Sequence, residues 1–153
     1  SQNYKLMFNK EEAQKIKREF WITFAQEYPR KWLLYNTRIK DFSCKFHVDN
    51  KKAMVSLDIE PKDEEHRKIY FEKIESLKNI LTEEYIYDAI FERNYQLDNG
   101  KIISRIWVEI DNISINNRST WPTIFEFFDK KMESYERFFY EYEDYIRDLE
   151  INT

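Results

Sequence analysis

Three acidic residues and a lysine near the end of the first predicted hairpin are the side chains best suited to metal chemistry. Asp41 and Glu60 face each other in that hairpin, Asp58 lies on the diagonal, and Lys62 follows just beyond. Hard cations such as Mg²⁺ take carboxylate oxygens as ligands, and a nearby lysine can steady a phosphate group. In this interpretation the chain is a metal-dependent nuclease or nucleic-acid-processing enzyme, and its candidate catalytic residues are Asp41, Asp58, Glu60 and Lys62.

A second interpretation of the same cluster is a solvated end of a sheet. Asp58 followed by Glu60-Pro61-Lys62 is faintly similar to the Asp plus Glu-x-Lys pattern of restriction-endonuclease-like nucleases, but Pro61 ends the strand before the lysine. Opposed like charges destabilise a hairpin unless cations balance them, here Lys40, Lys45 and Lys62. We favour this second interpretation and expect the carboxylates to lie close together without a bound metal ion or other cofactor.

Arg105 and Trp107 are predicted to share the outward face of the second hairpin. An exposed pair of this kind can stack on a nucleic-acid base or another ligand. More often such a pair is covered by a loop, a terminal helix or a partner chain, and we favour covering. The two residues remain a candidate ligand or partner surface.

Composition excludes most other chemistries. A single glycine among 153 residues is incompatible with most glycine-rich phosphate loops and with the nucleophile elbow of hydrolases. The two histidines, His47 and His66, have no zinc-ligand spacing, and Cys44 is the only cysteine, so no intrachain disulfide is possible. The formal net charge of −4 argues against non-specific nucleic-acid binding. With no predicted signal peptide or membrane-spanning run, we expect a cytoplasmic protein without membrane association.

Two hairpins are predicted to position the candidate residues. A two-residue turn at Asn50-Lys51 pairs Phe46 with Val55, and every apolar residue of that hairpin then faces an apolar partner. A second two-residue turn at Asn99-Gly100 pairs residue 91 with residue 108 and residue 92 with residue 107. A loop one residue longer is disfavoured because it opposes Arg93 to Arg105. The two registers predict that Phe46, Val55, Phe91, Ile106 and Val108 are buried. They predict that Lys45, Asp58 and Glu92 are exposed on the opposite face.

Helical patterns surround the two hairpins. The first helix is expected to begin with a capping box at Asn9 and to end at Pro29, and residues 1–8 are expected to form a loose arm. A second helix is expected over about residues 63–87. The predicted fold class is α+β in the order α-ββ-α-ββ-α, a single domain over residues 1–153. It has a four-stranded antiparallel sheet with helices packed on one face and a long C-terminal helix.

The C-terminal helix, expected over residues 121–149, carries an apolar stripe at heptad spacing. Its second half presents Phe139, Tyr142, Ile146 and Leu149. An exposed stripe of this size is uncommon in monomers, so it either folds back on the first helix or pairs with a second chain. We expect a homodimer formed through this helix, with Phe139, Tyr142 and Ile146 as its partner surface.

A series of short motifs runs along the chain, namely 20–24 (FWITF), Trp32, 35–40 (YNTRIK), 59–60 (IE), 71–72 (FE), 104–106 (SRI) and 121–122 (WP). In order and spacing this series resembles the uncharacterised bacterial domain-of-unknown-function family 4268, over about residues 8–145. Family members often have glycine where this chain has Arg38. The resemblance implies an α+β bacterial domain, either a whole small protein or a part attached to nuclease-like regions, and it supplies no catalytic residues.

Two functions remain open from the sequence. The favoured one is a non-catalytic interaction or accessory domain of a bacterial cytoplasmic protein, because the sequence carries no strong catalytic motif. The alternative is the metal-dependent nuclease described above. A metal response that Asp58→Ala abolishes would favour the enzyme.

Overall fold

The computed structural model describes residues 2–148, with side chains described from residue 9 onward. Helix α1 (Gln2–Glu27) leads through a 3₁₀ turn (Leu33–Tyr35) to strands β1 (Phe42–Val48) and β2 (Lys52–Ile59). Helix α2 (Glu64–Ser76), the short helix α3 (Lys78–Ile80) and a π turn (Leu81–Tyr85) follow. Strands β3 (Ile90–Gln96) and β4 (Ile102–Asp111) precede a 3₁₀ turn (Arg118–Thr120) and helix α4 (Trp121–Arg147). The predicted α+β fold with a four-stranded antiparallel sheet is confirmed.

The first helix and the second helix differ from their predicted bounds. Helix α1 begins at Gln2, so the capping box at Asn9 is wrong and the segment expected as a loose arm is helical from residue 2. Helix α2 begins as expected, because the Asp63 side chain accepts a hydrogen bond from the amide of Glu65 at 3.0 Å. It ends at Ser76, and α3 and the π turn replace its predicted second half.

The first hairpin has the predicted register. Phe46 is opposite Val55 and Phe42 is opposite Ile59 in the sheet, whose strand order is β1-β2-β4-β3. The Asp49 carboxylate accepts hydrogen bonds from the amides of Lys51 and Lys52, which fixes the tight turn between the strands. Alternating apolar residues therefore reach one face, as the period of two requires.

The second hairpin has a different register from the predicted one. Phe91 is opposite Ile106 and Glu92 is opposite Arg105, two positions away from the expected partners. The loop is three residues long (98–100), with Leu97 and Lys101 paired and Gly100 at a φ of 88°, a conformation that glycine adopts without strain. Near the loop the register is therefore displaced by one residue.

A β-bulge between Glu92 and Tyr95 displaces the register by one further residue. It also removes the opposition of two arginines that made the longer loop unfavourable. With the bulge, Arg93 is not opposite Arg105. The buried guanidinium of Arg67 donates from Nη1 to the carbonyl of Arg93 at 2.5 Å and from Nη2 to Asn94 Oδ1 at 3.1 Å, so it holds the bulge in place.

The main core lies between the sheet, α1 and the first half of α4. Phe46 stacks on Phe128 with ring centroids 4.6 Å apart and meets Phe24 edge-on at 5.4 Å. The predicted burial holds for Phe46, Val55, Ile106 and Val108. Phe91 is only half-buried because β3 is an edge strand.

The apolar stripe of α4 is buried within the chain, whereas the arrangement favoured from the sequence was burial against a second chain. Phe139 is 4% exposed and Ile146 is fully buried, while Tyr142 is half-buried at a kink where its φ is −110°. Leu149 lies outside the described residues. Phe139 therefore packs inside one chain and is not a partner surface; neither is Ile146.

Contacts from α2 and the loop before β1 hold this second half of α4. Lys73 Nζ donates to the carbonyl of Tyr145 at 2.6 Å and also to that of Asp148, and the Arg147 guanidinium donates to the carbonyl of Thr37. The stripe thus needs no second chain to cover it, and the homodimer stays a prediction. Within residues 2–148 there is no helix with the length and apolar character to span a membrane.

Candidate functional site

The sequence predicted an exposed Asp58, but this residue is buried against Arg105. The β2–β4 register places the two residues directly opposite each other. Arg105 Nε donates to Asp58 Oδ1 at 2.8 Å and Nη2 donates to Oδ2 at 2.9 Å, a bidentate pair. Asp58 is 1% exposed and Arg105 is 5% exposed. Both carboxylate oxygens of the central candidate catalytic residue are therefore already committed to a cation.

Glu60 is also neutralised by neighbouring cations. Lys45 Nζ lies 2.7 Å from Glu60 Oε2 and 3.6 Å from Asp58 Oδ2, and Lys101 Nζ lies 3.6 Å from Glu60 Oε1. Burial alone would lower the pKa of Lys45, but its bonds to Glu60 and its attraction to Asp58 raise that pKa above the ordinary lysine value. The cations that pair with Asp58 and Glu60 are Lys45, Lys101 and Arg105. Of the three cations expected from the sequence, Lys45 is among them, whereas Lys40 and Lys62 are not.

Asp41 and Lys62 lie in a different environment from Asp58. They line a cleft of about 710 Å³ at the start of α2, and its other lining residues are Lys40, Pro61, Asp63, His66 and Tyr70. The amide of Glu60 donates to the carbonyl of Asp41 at 2.7 Å, so the backbones are adjacent. Because Asp58 and Glu60 are not part of the cleft lining, the structure does not bring the four candidate residues together in one cleft. Among residues 9–148 no group of three or more His, Cys, Asp or Glu side chains is placed to hold a metal ion.

Arg105 and Trp107 are covered, as favoured from the sequence, but by side chains of their own sheet. Tyr95 lies edge-on to Trp107 at 5.3 Å, and the Arg105 guanidinium lies 4.4 Å from the Tyr95 ring centroid. Trp107 Nε1 donates to Glu109 Oε1 at 2.9 Å. Neither residue offers a free face for stacking a ligand.

Two other titratable groups of the sheet, the half-buried His47 and the buried Cys44, have shifted pKa values. His47 Nε2 lies 2.8 Å from Ser56 Oγ, and burial followed by the nearby Arg105 charge lowers the pKa of His47. Burial raises the pKa of the Cys44 thiol well above its ordinary value, so the thiol stays protonated. The polar side chains described on the face that carries Asp58 and Arg105 thus pair with one another.

The structure shows a groove that sequence reasoning missed. Its volume is about 540 Å³, it lies between the loop of residues 31–38 and α4, and we call it the tyrosine groove after Tyr35 and Tyr140. Its other lining residues are Lys31, Trp32, Leu33, Leu34, Asn36, Thr37, Arg38, Phe139, Glu143 and Arg147. The only sequence signal for it was the YNTRIK motif at residues 35–40, whose partner residues on α4 are about a hundred positions away.

The loop of the tyrosine groove is held in a defined conformation. Arg38 has a φ of 64°, in the left-handed region, and its amide donates to Asn36 Oδ1 at 3.0 Å. The buried Thr37 hydroxyl donates to the carbonyl of Phe42 at 2.5 Å and accepts from the amide of Ile39 at 3.1 Å. The tight turn is therefore formed with an arginine in the left-handed conformation.

Comparison with protein families identifies the chain. The family model described as Domain of unknown function (DUF4268) matches residues 16–143. The chain therefore belongs to this family, as the motif series indicated. No curated protein and no solved structure matches it.

Proposed function

We propose that this chain is a non-catalytic interaction or accessory domain of a bacterial cytoplasmic protein. The observation that carries the proposal is the bidentate pairing of Asp58 with Arg105 out of contact with solvent. A catalytic carboxylate that binds Mg²⁺ must offer an oxygen to the ion. Asp58 would have to break two charge-assisted hydrogen bonds first and leave a buried guanidinium unpaired, which is strongly unfavourable.

The distribution of exposed apolar side chains also supports an interaction domain. Eight large hydrophobic side chains are exposed among the residues whose side chains are described, and three of them, Leu33, Tyr35 and Tyr140, line the tyrosine groove. Contiguous exposed apolar and aromatic residues are typical of protein-binding surfaces. The tyrosine groove is therefore the surface on which we place the interaction.

A nuclease assay tests the proposal against its alternative. The protein is incubated with Mg²⁺ or Mn²⁺ and with single- and double-stranded DNA and RNA, beside the variants Asp41→Asn and Glu60→Gln and the matched control Glu83→Gln, which alters an exposed residue far along the chain. We expect no cleavage above the protein-free blank. Metal-dependent cleavage that Glu60→Gln abolishes and Glu83→Gln retains would overturn the proposal.

A further inference from the structure

The tyrosine groove has the opposite charge from the chain as a whole. Its lining contains the three cations Lys31, Arg38 and Arg147 and the one carboxylate Glu143, a formal charge of +2, whereas the chain carries −4. Arg147 Nε pairs with Glu143 at 2.7 Å. Lys31 and Arg38 are exposed and form no ion pair with any described residue. Two cations are therefore available to an external anion.

The apolar part of the tyrosine groove is open rather than enclosed. Leu33, Tyr35 and Tyr140 are 43%, 49% and 51% exposed. A small-molecule pocket normally encloses most of its ligand, whereas side chains that are half-exposed along an open groove suit a segment of polypeptide lying across them. Tyrosine is enriched in such interfaces because it gives a large contact area at low entropic cost.

Tyr35 adds a hydrogen-bond donor to this surface. Its ring packs edge-on against Phe46 at 5.7 Å, and partial burial of the side chain raises the pKa of Tyr35 to about 12. Like any tyrosine hydroxyl at neutral pH it is protonated, and because the side chain is half-exposed it can donate to a carboxylate oxygen of a ligand.

We propose that the tyrosine groove binds an acidic peptide segment of a partner protein. Its carboxylates pair with Lys31 and Arg38, and an apolar side chain of the peptide packs against Leu33 and the two tyrosines. This inference rests on the proposed interaction function and specifies its partner.

A peptide fits the tyrosine groove better than a nucleic acid does. A phosphodiester backbone is bound by a concentrated track of basic residues, and affinity depends on the number of phosphates neutralised. Here two cations are free, and the exposed Leu33 gives the lining an aliphatic side chain that base stacking does not use. Two carboxylates of a short peptide can each pair with one of these two cations, so no longer basic track is required.

Arg38 provides an unusually clean test, because its backbone is in a conformation that glycine adopts without strain. Arg38→Gly removes the guanidinium and relieves the left-handed strain, so the variant should fold at least as well as the wild type. A loss of binding in this variant reports the guanidinium and not unfolding. Lys68→Gln, at an exposed position on α2, is the control for the loss of one positive charge.

The experiment selects ligands from a random dodecapeptide library displayed on phage, using the full chain as bait. We expect enriched peptides with several Asp or Glu residues and at least one aromatic or aliphatic residue. By fluorescence anisotropy, Arg38→Gly and Lys31→Gln should each weaken a selected peptide by about tenfold, the loss of one charge-assisted contact. Lys68→Gln should bind as the wild type does, and added salt should weaken all complexes.

Three outcomes of the peptide experiments would overturn the inference. They are a library with no enrichment, enriched peptides without acidic residues, and peptides whose affinity is unchanged by Arg38→Gly and Lys31→Gln. Tighter binding of a labelled single-stranded oligonucleotide than of any selected peptide, lost in the same two variants, would assign the groove to nucleic acid. None of these results depends on the nuclease assay, so the inference can fail while the non-catalytic function stands.

Discussion

Asp58 and Arg105 form a bidentate ion pair across β2 and β4, with N–O distances of 2.8 and 2.9 Å and almost no exposure to solvent. Lys45 approaches the same carboxylate at 3.6 Å, and Tyr95 lies against the guanidinium. The pair occupies the part of the sheet that sequence reasoning considered for metal chemistry. Its geometry makes it a structural element of the open sheet face.

Breaking the pair from one side should destabilise the fold strongly. Asp58→Asn leaves the Arg105 guanidinium buried without its counter-charge, and the expected loss in the free energy of unfolding is about 3–5 kcal/mol. Urea denaturation followed by circular dichroism measures it. Asp98→Asn, on the exposed hairpin loop, is the control and should change stability by no more than about 0.5 kcal/mol.

Replacing both partners should cost much less than replacing one. In the double variant Asp58→Leu with Arg105→Met no buried charge is left unpaired, and such replacements are often neutral or stabilising. A double variant at least as unstable as Asp58→Asn would show that packing, and not the unpaired charge, causes the loss.

Phe46 should be one of the most sensitive apolar positions. It stacks on Phe128 and also meets Phe24, Trp32 and Tyr35 edge-on. Phe46→Ala is expected to cost about 3–5 kcal/mol in the free energy of unfolding through lost burial and the cavity left behind. Tyr87→Ala, at a highly exposed ring, should leave the denaturation midpoint nearly unchanged.

Lys73 should hold the C-terminal end of α4 onto α2. Its buried ammonium donates to the carbonyls of Tyr145 and Asp148 and lies 4.5 Å from the Tyr145 ring centroid. Lys73→Met removes the donors but keeps much of the side-chain volume, so residues 143–148 should exchange their amide hydrogens faster. The exposed Lys68→Met is the control on the same helix. Unchanged exchange in Lys73→Met would contradict this role.

His47 should make stability depend on pH below neutrality. Its pKa in the folded state is lowered from 6.5, first by burial and then by the Arg105 charge. The unfolded chain therefore binds a proton that the folded chain does not, and stability falls as pH drops below 6.5. Thermal denaturation from about pH 7.5 to 5.5, above the range where most carboxylates titrate, measures the decline. The substitution His47→Gln should reduce this decline in stability. The control His66→Gln, at an exposed imidazole, should leave the decline unchanged.

The register of the first hairpin could be predicted in full because local rules agree there. The turn at Asn50-Lys51 and the alternating apolar residues each specify the same register. The second hairpin could not, because its bulge depends on Arg67 of α2 reaching the carbonyl of Arg93, a tertiary contact with no local signature.

The candidate site was only partly predictable for a similar reason. The acidic cluster is visible in the sequence, but its neutralisation by Arg105 depends on β2 lying next to β4, which hairpin pairing alone does not specify. The register error also placed Asn94, rather than Glu92, opposite Arg105. The tyrosine groove was missed because it joins residue 35 to residue 140, and the apolar stripe of α4 was expected to pair with a second chain.

The central claim is that the Asp58 and Glu60 carboxylates are committed to protein cations. A Mn²⁺ titration tests it most directly, with the backbone amide signals of the isotopically labelled protein monitored by NMR. A bound paramagnetic ion broadens the amides near its ligands. We predict no selective broadening at residues 41, 58 and 60 at submillimolar Mn²⁺. Broadening centred on these amides, reversed by chelation and absent in Glu60→Gln, would contradict the account.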